Sequence, residues 1–261
     1  CEVGAGETAS ESLTVFNPAR RSERIGQVDL ANADDIEQAI AAACADHSWN
    51  ARAPAQRAEI VARIGDALEN QRLGLAALCV REAGKSVPDG IAEVREAVDF
   101  LRYYAARARH EFASPQRLPG PTGESNELSL HGRGVFTCIS PWNFPLAIFA
   151  GQVAAALAAG NAVLAKPAEQ TPLVAAHAVR LLLQAGVPAD VLHFLPGDGA
   201  IVGAAAVADP RIAGVAFTGS TDTARIINRT LAARNGPIGA LIAETGGQNA
   251  MIVDSSALPE Q

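Results

Sequence analysis

The sequence lacks the features of disulfide-bonded or nucleic-acid-binding proteins. Four cysteines in 261 residues show no paired spacing. They favour a reducing compartment, so we expect a cytoplasmic protein. The net charge of −7 argues against a nucleic-acid partner, because phosphate backbones attract basic surfaces.

Long hydrophobic runs are also missing. The longest apolar stretch, residues 148–159, is interrupted by Gly151 and Gln152 and is too short to cross a bilayer. The polar, acidic start does not resemble a secretion signal. The whole sequence is 49% hydrophobic and 19% charged, which is typical of a globular protein. Because the sequence starts at Cys1 instead of Met and ends just after an apolar run, we expect a piece of a longer polypeptide.

The first 113 residues are predicted to be the helical part of a larger domain. Asn32 can cap a helix whose apolar stripe contains Ile36, Ile40 and Cys44. Further helices are predicted at 54–70, 75–84 and 89–111. Residues 114–133 are rich in proline and glycine at their start, which predicts a loop or the root of a protruding hairpin, and a strand is expected at 127–134.

Short apolar strands alternate with helices over residues 134–254. Strands are predicted at 135–139, 162–165, 191–195, 214–217, 240–243 and 250–253. Between them lie predicted helices at 147–159, 172–185, 200–208 and 221–234, the second with Thr171 as its cap, Pro172 at its first position and Gly186 after its end. This alternation predicts an α/β fold with a Rossmann-like, doubly wound parallel sheet. Residues 255–261 would begin a connection to another domain.

Ligands of such sheets bind beyond the carboxyl ends of the strands. The first strand is followed by Ser140-Pro-Trp-Asn143-Phe-Pro145. The prolines restrict the backbone around Asn143, whose amide could then stabilise a developing oxyanion. A turn asparagine bonded to its own backbone is an equally good interpretation of this residue alone.

The next strand ends carry groups that suit a dinucleotide. Lys166 and Glu169 could bind ribose hydroxyls, and the carboxylate would repel a 2′-phosphate and so favour NAD over NADP; a solvated charge pair is the alternative. The segment from Gly197 through Gly199 to Gly203 is one residue longer than the dinucleotide fingerprint, and alone it is a weak signal.

The last two strand ends complete the pattern. In Phe217-Thr-Gly219-Ser220, the serine can cap a helix whose free N–H groups suit a pyrophosphate, although simple capping explains it equally well. Glu244, before Thr245-Gly246-Gly247, is a candidate general base, since a partly buried carboxylate holds a proton more readily. A loop carboxylate that accepts backbone N–H bonds is the alternative.

The order and spacing of these segments, over residues 12–254, resemble the aldehyde dehydrogenase superfamily. The helical half agrees through Phe16-Asn-Pro-Ala, Trp49, Arg57-Ala, Glu82-Ala-Gly-Lys85 and Tyr103-Tyr104. Within the superfamily, the chain is most similar to the L-glutamate γ-semialdehyde dehydrogenase domains of bifunctional proline utilization A proteins. That narrower resemblance rests on residues 140–149 and 244–254, with Gln248 where most aldehyde dehydrogenases have lysine.

The resemblance implies a mechanism and a set of site residues. In the family, a cysteine thiolate attacks the aldehyde, hydride passes to NAD, and water releases the acid from the thioester. Asn143 matches the residue that holds the oxyanion, and Glu244 matches the residue that activates the water. The residues that match the NAD site are Ile139, Ser140, Pro141, Trp142, Lys166, Glu169, Gly199, Gly203, Phe217, Gly219, Ser220 and Gly246.

The family's nucleophile is absent from this sequence. In the family it lies a few tens of residues beyond the general base, in a Gly-x-x-Cys segment, whereas no cysteine follows Glu244 here. We therefore expect it beyond residue 261. Cys138 precedes Asn143 closely but falls in an apolar strand, where a thiol stays protonated. Cys1, Cys44 and Cys79 are also interpreted as structural.

Three functional hypotheses remain open from the sequence. The first is an enzyme segment that oxidises L-glutamate γ-semialdehyde to glutamate, with an FAD-dependent proline dehydrogenase domain upstream. The second is a non-catalytic NAD-binding or structural module, and the third an aldehyde dehydrogenase for another semialdehyde, such as succinate semialdehyde. The resemblance also implies a homo-oligomer, with residues 114–133 at its contact. His177 and His193 lack ligand-spaced partners, so no metal site is predicted.

Overall fold

The structure, a computed structural model, describes residues 11–257 and begins with an antiparallel hairpin. Strand β1 (Ser12–Asn17) pairs with β2 (Arg20–Asp29). The prediction that this region is entirely helical is wrong here. The polar sequence of β2 has no clean alternation, and the hairpin is held by distant partners: Glu23 pairs with Arg81 at 2.6 Å, and Gly26 lies against Leu173.

Five helices follow, and those predicted from the sequence are confirmed. They are α1 (Ala33–Ala45), α2 (Ser48–Ala51), α3 (Pro54–Asn70), α4 (Arg72–Ala83) and α5 (Val87–Glu111). Asn32 caps α1 by accepting hydrogen bonds from the amides of Asp34 and Asp35. Gly84 ends α4 in the left-handed conformation at φ 68°, which glycine adopts without strain.

A second hairpin leads into the sheet region. Strands β3 (Gln116–Leu118) and β4 (Asn126–Leu128) pair with each other, as the predicted hairpin root requires. The strand expected over 127–134 is wrong beyond Leu128, because residues 129–133 have no strand beside them. An apolar alternation forms a strand only where a neighbour can satisfy its backbone.

The main sheet has five parallel strands. They are β5 (Val135–Ile139), β6 (Ala162–Lys166), β7 (Leu192–Phe194), β8 (Ile212–Thr218) and β9 (Ala240–Glu244), in the order β7-β6-β5-β8-β9. The predicted α/β fold is confirmed, but the strand expected at 250–253 is wrong. Met251 and Ile252 are exposed and have no strand beside them within the described residues, so the backbone of this apolar run lacks a partner.

Helices cover both faces of this sheet. Helices α6 (Ala147–Ala158) and α7 (Pro172–Gln184) pack on one face, with α3 and α5 behind them. Helix α1 lies on the other face, together with α8 (Ala204–Ala208) and α9 (Thr221–Ala233). Gly151 allows α6 to approach α5 closely, because a Cβ there would lie 3.0 Å from the Phe100 ring. None of the helices within residues 11–257 has the length and apolar character needed to cross a membrane.

Candidate active site at the carboxyl edge of the sheet

The predicted site residues lie at one edge of the parallel sheet. Parallel strands end on the same side, so the segments after β5, β6, β7, β8 and β9 meet there. The chain turns to opposite sides of the sheet after β5 and after β8, so the crevice opens between these two strands. The residues at this edge are Ile139 to Asn143, Lys166, Glu169, Gly199, Gly203, Phe217, Gly219, Ser220, Glu244 and Gly246.

Lys166 and Glu169 form a connected polar corner with Gly199. The buried Lys166 Nζ lies 2.6 Å from Glu169 Oε1, which also accepts a hydrogen bond from the Gly199 amide at 2.6 Å. Partial burial raises the pKa of Glu169, but the Lys166 and Gly199 hydrogen bonds outweigh it and the pKa lies below its ordinary value. A side chain at position 199 would contact Glu169 Oε1 at 3.4 Å, so glycine leaves this corner open. The arrangement offers donors and acceptors for a sugar diol.

The long glycine segment after β7 folds as a π-helical turn. Residues Gly199–Gly203 make the wider i to i+5 turn and continue directly into α8. The hydrogen bonds of a π-helix span one residue more than those of an α-helix, which suits a segment one residue longer than the usual fingerprint. Asp198 caps the turn by accepting a bond from the Ala200 amide at 2.6 Å. A Cβ on Gly203 would lie 3.9 Å from Ile139 Cδ1, so the turn packs beside the end of β5.

The ends of β8 and β9 are joined through their backbones. The Gly219 amide donates to the Glu244 carbonyl at 3.1 Å. A Cβ on Gly219 would lie 2.6 Å from the Phe217 ring, so a larger residue there would require the ring to move. Ser220 caps α9 by accepting a bond from the Thr223 amide at 3.1 Å, as predicted. The amino end of α9 therefore lies at this edge of the sheet, and the N–H groups of its first turn have no acceptor within the helix.

The turn that carries Asn143 is exposed at its tip and anchored at its base. Trp142 is 58% exposed, and Asn143 is exposed beside it. The Asn143 side chain makes no hydrogen bond within residues 11–257, so the alternative of a self-bonded turn asparagine is wrong. At the base, the Ser140 amide donates to the Lys166 carbonyl at 3.2 Å. The buried Ser140 hydroxyl has no partner among the described residues, which leaves a polar atom for a ligand at the crevice.

Two charged residues of the helical layer lie beneath this turn. Glu93 of α5 is 1% exposed, and its Oε1 accepts bonds from the amides of Leu146 and Ala147, both at 2.9 Å. Its Oε2 lies 2.6 Å from Lys85 Nζ. The same ammonium sits 4.2 Å from the centre of the Phe144 ring. Sequence reasoning quoted Lys85 only within a motif and missed Glu93, whose partner amides are more than fifty residues away in the chain.

Glu244 stands apart from its predicted environment. It ends β9, and its side chain is exposed. The assumption of partial burial is therefore wrong for this chain, because the described residues place no cover over that side of β9. The strand order puts β8 between Asn143 and Glu244, so the ends of their strands are about 10 Å apart.

The described cysteines are all unsuited to act as nucleophiles. Burial raises the pKa of Cys138 and of Cys79 to about 12, and it also raises the pKa of Cys44. A thiol with such a pKa stays protonated at neutral pH. Cys1 lies outside the described residues. The interpretation of Cys44, Cys79 and Cys138 as structural residues agrees with this burial.

Glu82 provides a cap that the sequence attributes to another residue. Thr171 precedes α7, but its buried hydroxyl has no hydrogen-bond partner among residues 11–257. Glu82 of α4 instead accepts bonds from the amides of Leu173 at 2.6 Å and Val174 at 2.8 Å. The prediction that Thr171 caps this helix through its side chain is therefore wrong. The carboxylate of Glu82, from α4, caps the amino end of α7 in its place.

Comparison with known proteins identifies the family. The model of the aldehyde dehydrogenase family matches residues 6–260, so this chain belongs to that family. Bifunctional protein PutA of Escherichia coli (strain K12) is 51% identical over 257 residues, which cover 97% of this chain and 18% of that protein. The parallel sheet and its helices are those of the aldehyde dehydrogenase fold.

Solved structures give the same result. A mutant of proline utilization A (PutA) from Bradyrhizobium japonicum matches with a TM-score of 0.83 and 55% identity, covering 89% of this chain and 24% of that chain. A 1-pyrroline-5-carboxylate dehydrogenase from Thermus, solved with bound NAD, matches with a TM-score of 0.86 and 34% identity, covering 91% of this chain and 47% of that chain. The chain thus spans from about a fifth to about half of the length of these relatives.

Proposed function

We propose that this chain is the NAD-binding region of an aldehyde dehydrogenase that oxidises L-glutamate γ-semialdehyde to L-glutamate. The observation that carries the proposal is the convergence of Asn143, the Lys166–Glu169 pair and Ser220 on one sheet edge. The similarity to PutA and to 1-pyrroline-5-carboxylate dehydrogenase supports the choice of substrate.

The groups at the crevice fit NAD. Lys166 and Glu169 would hold the adenosine ribose, since together they offer a donor and a carboxylate acceptor at the edge. The amino end of α9, behind Ser220, would receive the pyrophosphate. The free hydroxyl of Ser140 and the exposed Trp142 would line the passage towards Asn143. When bound, NAD supplies a hydride acceptor.

The protein's own groups would divide the remaining chemistry. The unbonded amide of Asn143 would donate to the oxygen of the substrate carbonyl as negative charge develops there. Glu244 would take a proton from the water that releases the product acid, and its exposure leaves room for that water. The nucleophile in this proposal is a cysteine beyond residue 261, since burial keeps the thiols of Cys44, Cys79 and Cys138 protonated.

The wider assignments extend the same proposal. The similarity to PutA supports a proline dehydrogenase domain with FAD on the same polypeptide, upstream of this chain. The exposed β3–β4 hairpin supports homo-oligomer contact in the full-length protein. The cysteine usage supports a cytoplasmic location. The 261-residue chain by itself would bind NAD without turning over an aldehyde.

NADH formation tests the proposal against its two alternatives. We expect the full-length protein to oxidise L-glutamate γ-semialdehyde with a higher kcat/KM than succinate semialdehyde or simple aliphatic aldehydes. A preference for either of the latter would contradict the substrate assignment. The 261-residue chain should bind NAD but form no NADH, and turnover by this chain alone would contradict the assignment of the nucleophile.

A further inference from the structure

We propose that Glu93 and Lys85 are positioning residues for Asn143. They lie beneath the turn of residues 140–146 and fix its course without touching the substrate. The inference rests on the proposed function, in which Asn143 donates to the reacting carbonyl. It adds two residues that lie in the helical layer instead of at the strand ends.

Glu93 holds the point where the turn becomes α6. Leu146 occupies the N-cap position of α6 and offers no side-chain cap. Glu93 Oε1 takes that role, with bonds of 2.9 Å to the amides of Leu146 and Ala147. A buried carboxylate is favoured at a helix amino end, where the peptide dipoles leave partial positive charge. The carboxyl end of the turn is therefore fixed by α5.

Lys85 connects this carboxylate to the tip of the turn. Its Nζ lies 2.6 Å from Glu93 Oε2 and 4.2 Å from the centre of the Phe144 ring. The side chain of Lys85 is 13% exposed and that of Glu93 is not exposed at all, so solvent screens the pair little. The cation holds the ring electrostatically. Phe144 is the immediate neighbour of Asn143 in the chain.

Asn143 itself has nothing else to orient it. Its side chain makes no hydrogen bond within residues 11–257, and the residue is exposed. The direction of its amide is set by the backbone of the turn. The turn is held at the Ser140 amide by the Lys166 carbonyl, at the Phe144 ring by Lys85, and at the Leu146 amide by Glu93. Loss of the Lys85–Glu93 pair should misalign the amide, and small misplacements of a catalytic group reduce rate strongly.

The test combines turnover of the full-length protein with two readouts on the 261-residue chain. The variants are Glu93→Gln, Lys85→Met and Lys85→Arg. Glu111→Gln is the matched control, because Glu111 lies on the same helix and its one ion-pair partner among residues 11–257 is Arg107. Asn143→Ala is the reference for loss of the oxyanion donor. The readouts on the chain are amide exchange at residues 146 and 147 and acrylamide quenching of Trp142, since the other tryptophan is 1% exposed.

We expect Glu93→Gln and Lys85→Met to lower kcat about tenfold or more with the NAD Kd nearly unchanged. Exchange at residues 146 and 147 should accelerate in Glu93→Gln, and quenching of Trp142 should rise in both variants. Lys85→Arg should keep most of the wild-type kcat because it retains the charge, and Glu111→Gln should have the kcat of the wild type. Asn143→Ala should lower kcat by about 10²–10³.

The outcomes separate this inference from the proposed function. If Asn143→Ala is impaired while folded Glu93→Gln and Lys85→Met keep normal kcat, exchange and quenching, the positioning role is wrong. If Asn143→Ala retains normal kcat, the proposed function itself fails. Should Glu93→Gln not fold, Lys85→Met decides, because it leaves the Glu93 bonds to the two amides in place.

Discussion

Cys138 lies in the middle of β5, five residues before Asn143, with a side chain that is 1% exposed. Burial alone raises its pKa to about 12 from an ordinary value of 9.0. The fraction of thiolate near neutral pH is thereby about a thousandfold lower than for a free thiol. Proximity in the sequence to a candidate oxyanion donor therefore does not make this residue a nucleophile.

Thiol labelling checks this statement. In the folded chain, Cys138 and Cys79 should react with iodoacetamide at least about a hundredfold more slowly than glutathione at pH 8. Both should react at the free-thiol rate in denaturant, and mass spectrometry of peptides would separate the sites. Labelling of Cys138 at the glutathione rate in the folded chain would contradict its burial.

At the residue scale, the sequence placed Lys166 and Glu169 correctly at the sheet edge, whereas it predicted the environment of Glu244 poorly. Lys166 and Glu169 are three residues apart, so their pairing is local and can be inferred from spacing. The exposure of Glu244 depends on what lies over β9, and no pattern within the strand reports that. Glu93 was missed for a similar reason, since its two amide partners come from a different helix.

Helix α6 shows how elements of the two halves are joined. Glu93 caps its amino end, while Trp49 Nε1 donates to the Leu157 carbonyl at 2.9 Å and Arg57 Nε donates to the Ala158 carbonyl at 3.3 Å. The negative charge of Glu93 at the amino end and the positive charge of Arg57 at the carboxyl end both have the sign that the helix dipole favours. Burial lowers the pKa of Arg57, which shows the cost of placing this cation inside. The alanine-rich α6 is thus held at both ends by the helical layer.

Glu82 makes the equivalent contact with α7, and it should make stability depend on pH. Burial raises the pKa of Glu82 from 4.5 to about 7, against the opposing effect of the Leu173 and Val174 amides. A carboxyl group whose pKa is raised on folding favours the folded state at low pH. Its contribution is fully present below about pH 4.5 and is lost as the pH rises through about 7. This rise of the pKa corresponds to about 3 kcal/mol in the free energy of unfolding.

Denaturant unfolding at several pH values measures this effect. Between pH 5 and pH 8, the free energy of unfolding of the wild type should fall relative to that of Glu82→Gln, by up to about 3 kcal/mol. The exposed Glu59→Gln is the control and should parallel the wild type. If the difference between wild type and Glu82→Gln stays constant across this range, the raised pKa is wrong.

At the element scale, local signals were sufficient where the partners are close in sequence. The cap at Asn32, the stop at Gly84 and the alternation of strands and helices are all local features, and the structure confirms them. The caps supplied by Glu82 and Glu93 join residues about ninety and about fifty positions apart. The β1–β2 hairpin likewise depends on α4 and α7. Such contacts exist only in the folded chain.

At the scale of the whole molecule, the sheet order β7-β6-β5-β8-β9 determines what the site can be. From β5 the chain adds strands in one direction, to β6 and β7, and then adds β8 and β9 on the opposite side of β5. The predicted dinucleotide residues lie at the carboxyl ends of these strands. The apolar residues near β9 remain exposed, among them Ile242 at 56% and Met251 at 90%. In this chain the residues predicted to bind the dinucleotide are therefore packed more closely by their neighbours than the residues around Glu244.

The most direct measurement is calorimetric titration of NAD and NADP into the 261-residue chain and its Glu169→Gln variant. Glutamine retains an oxygen for Lys166 and the Gly199 amide but removes the charge. We predict that the wild type binds NAD more tightly than NADP. In the variant, NAD should bind about tenfold more weakly, and the ratio of NAD to NADP affinity should move closer to one. Glu59→Gln should change neither the NAD affinity nor that ratio. Absence of NAD binding, or equal binding by wild type and Glu169→Gln, would contradict an NAD site at this sheet edge.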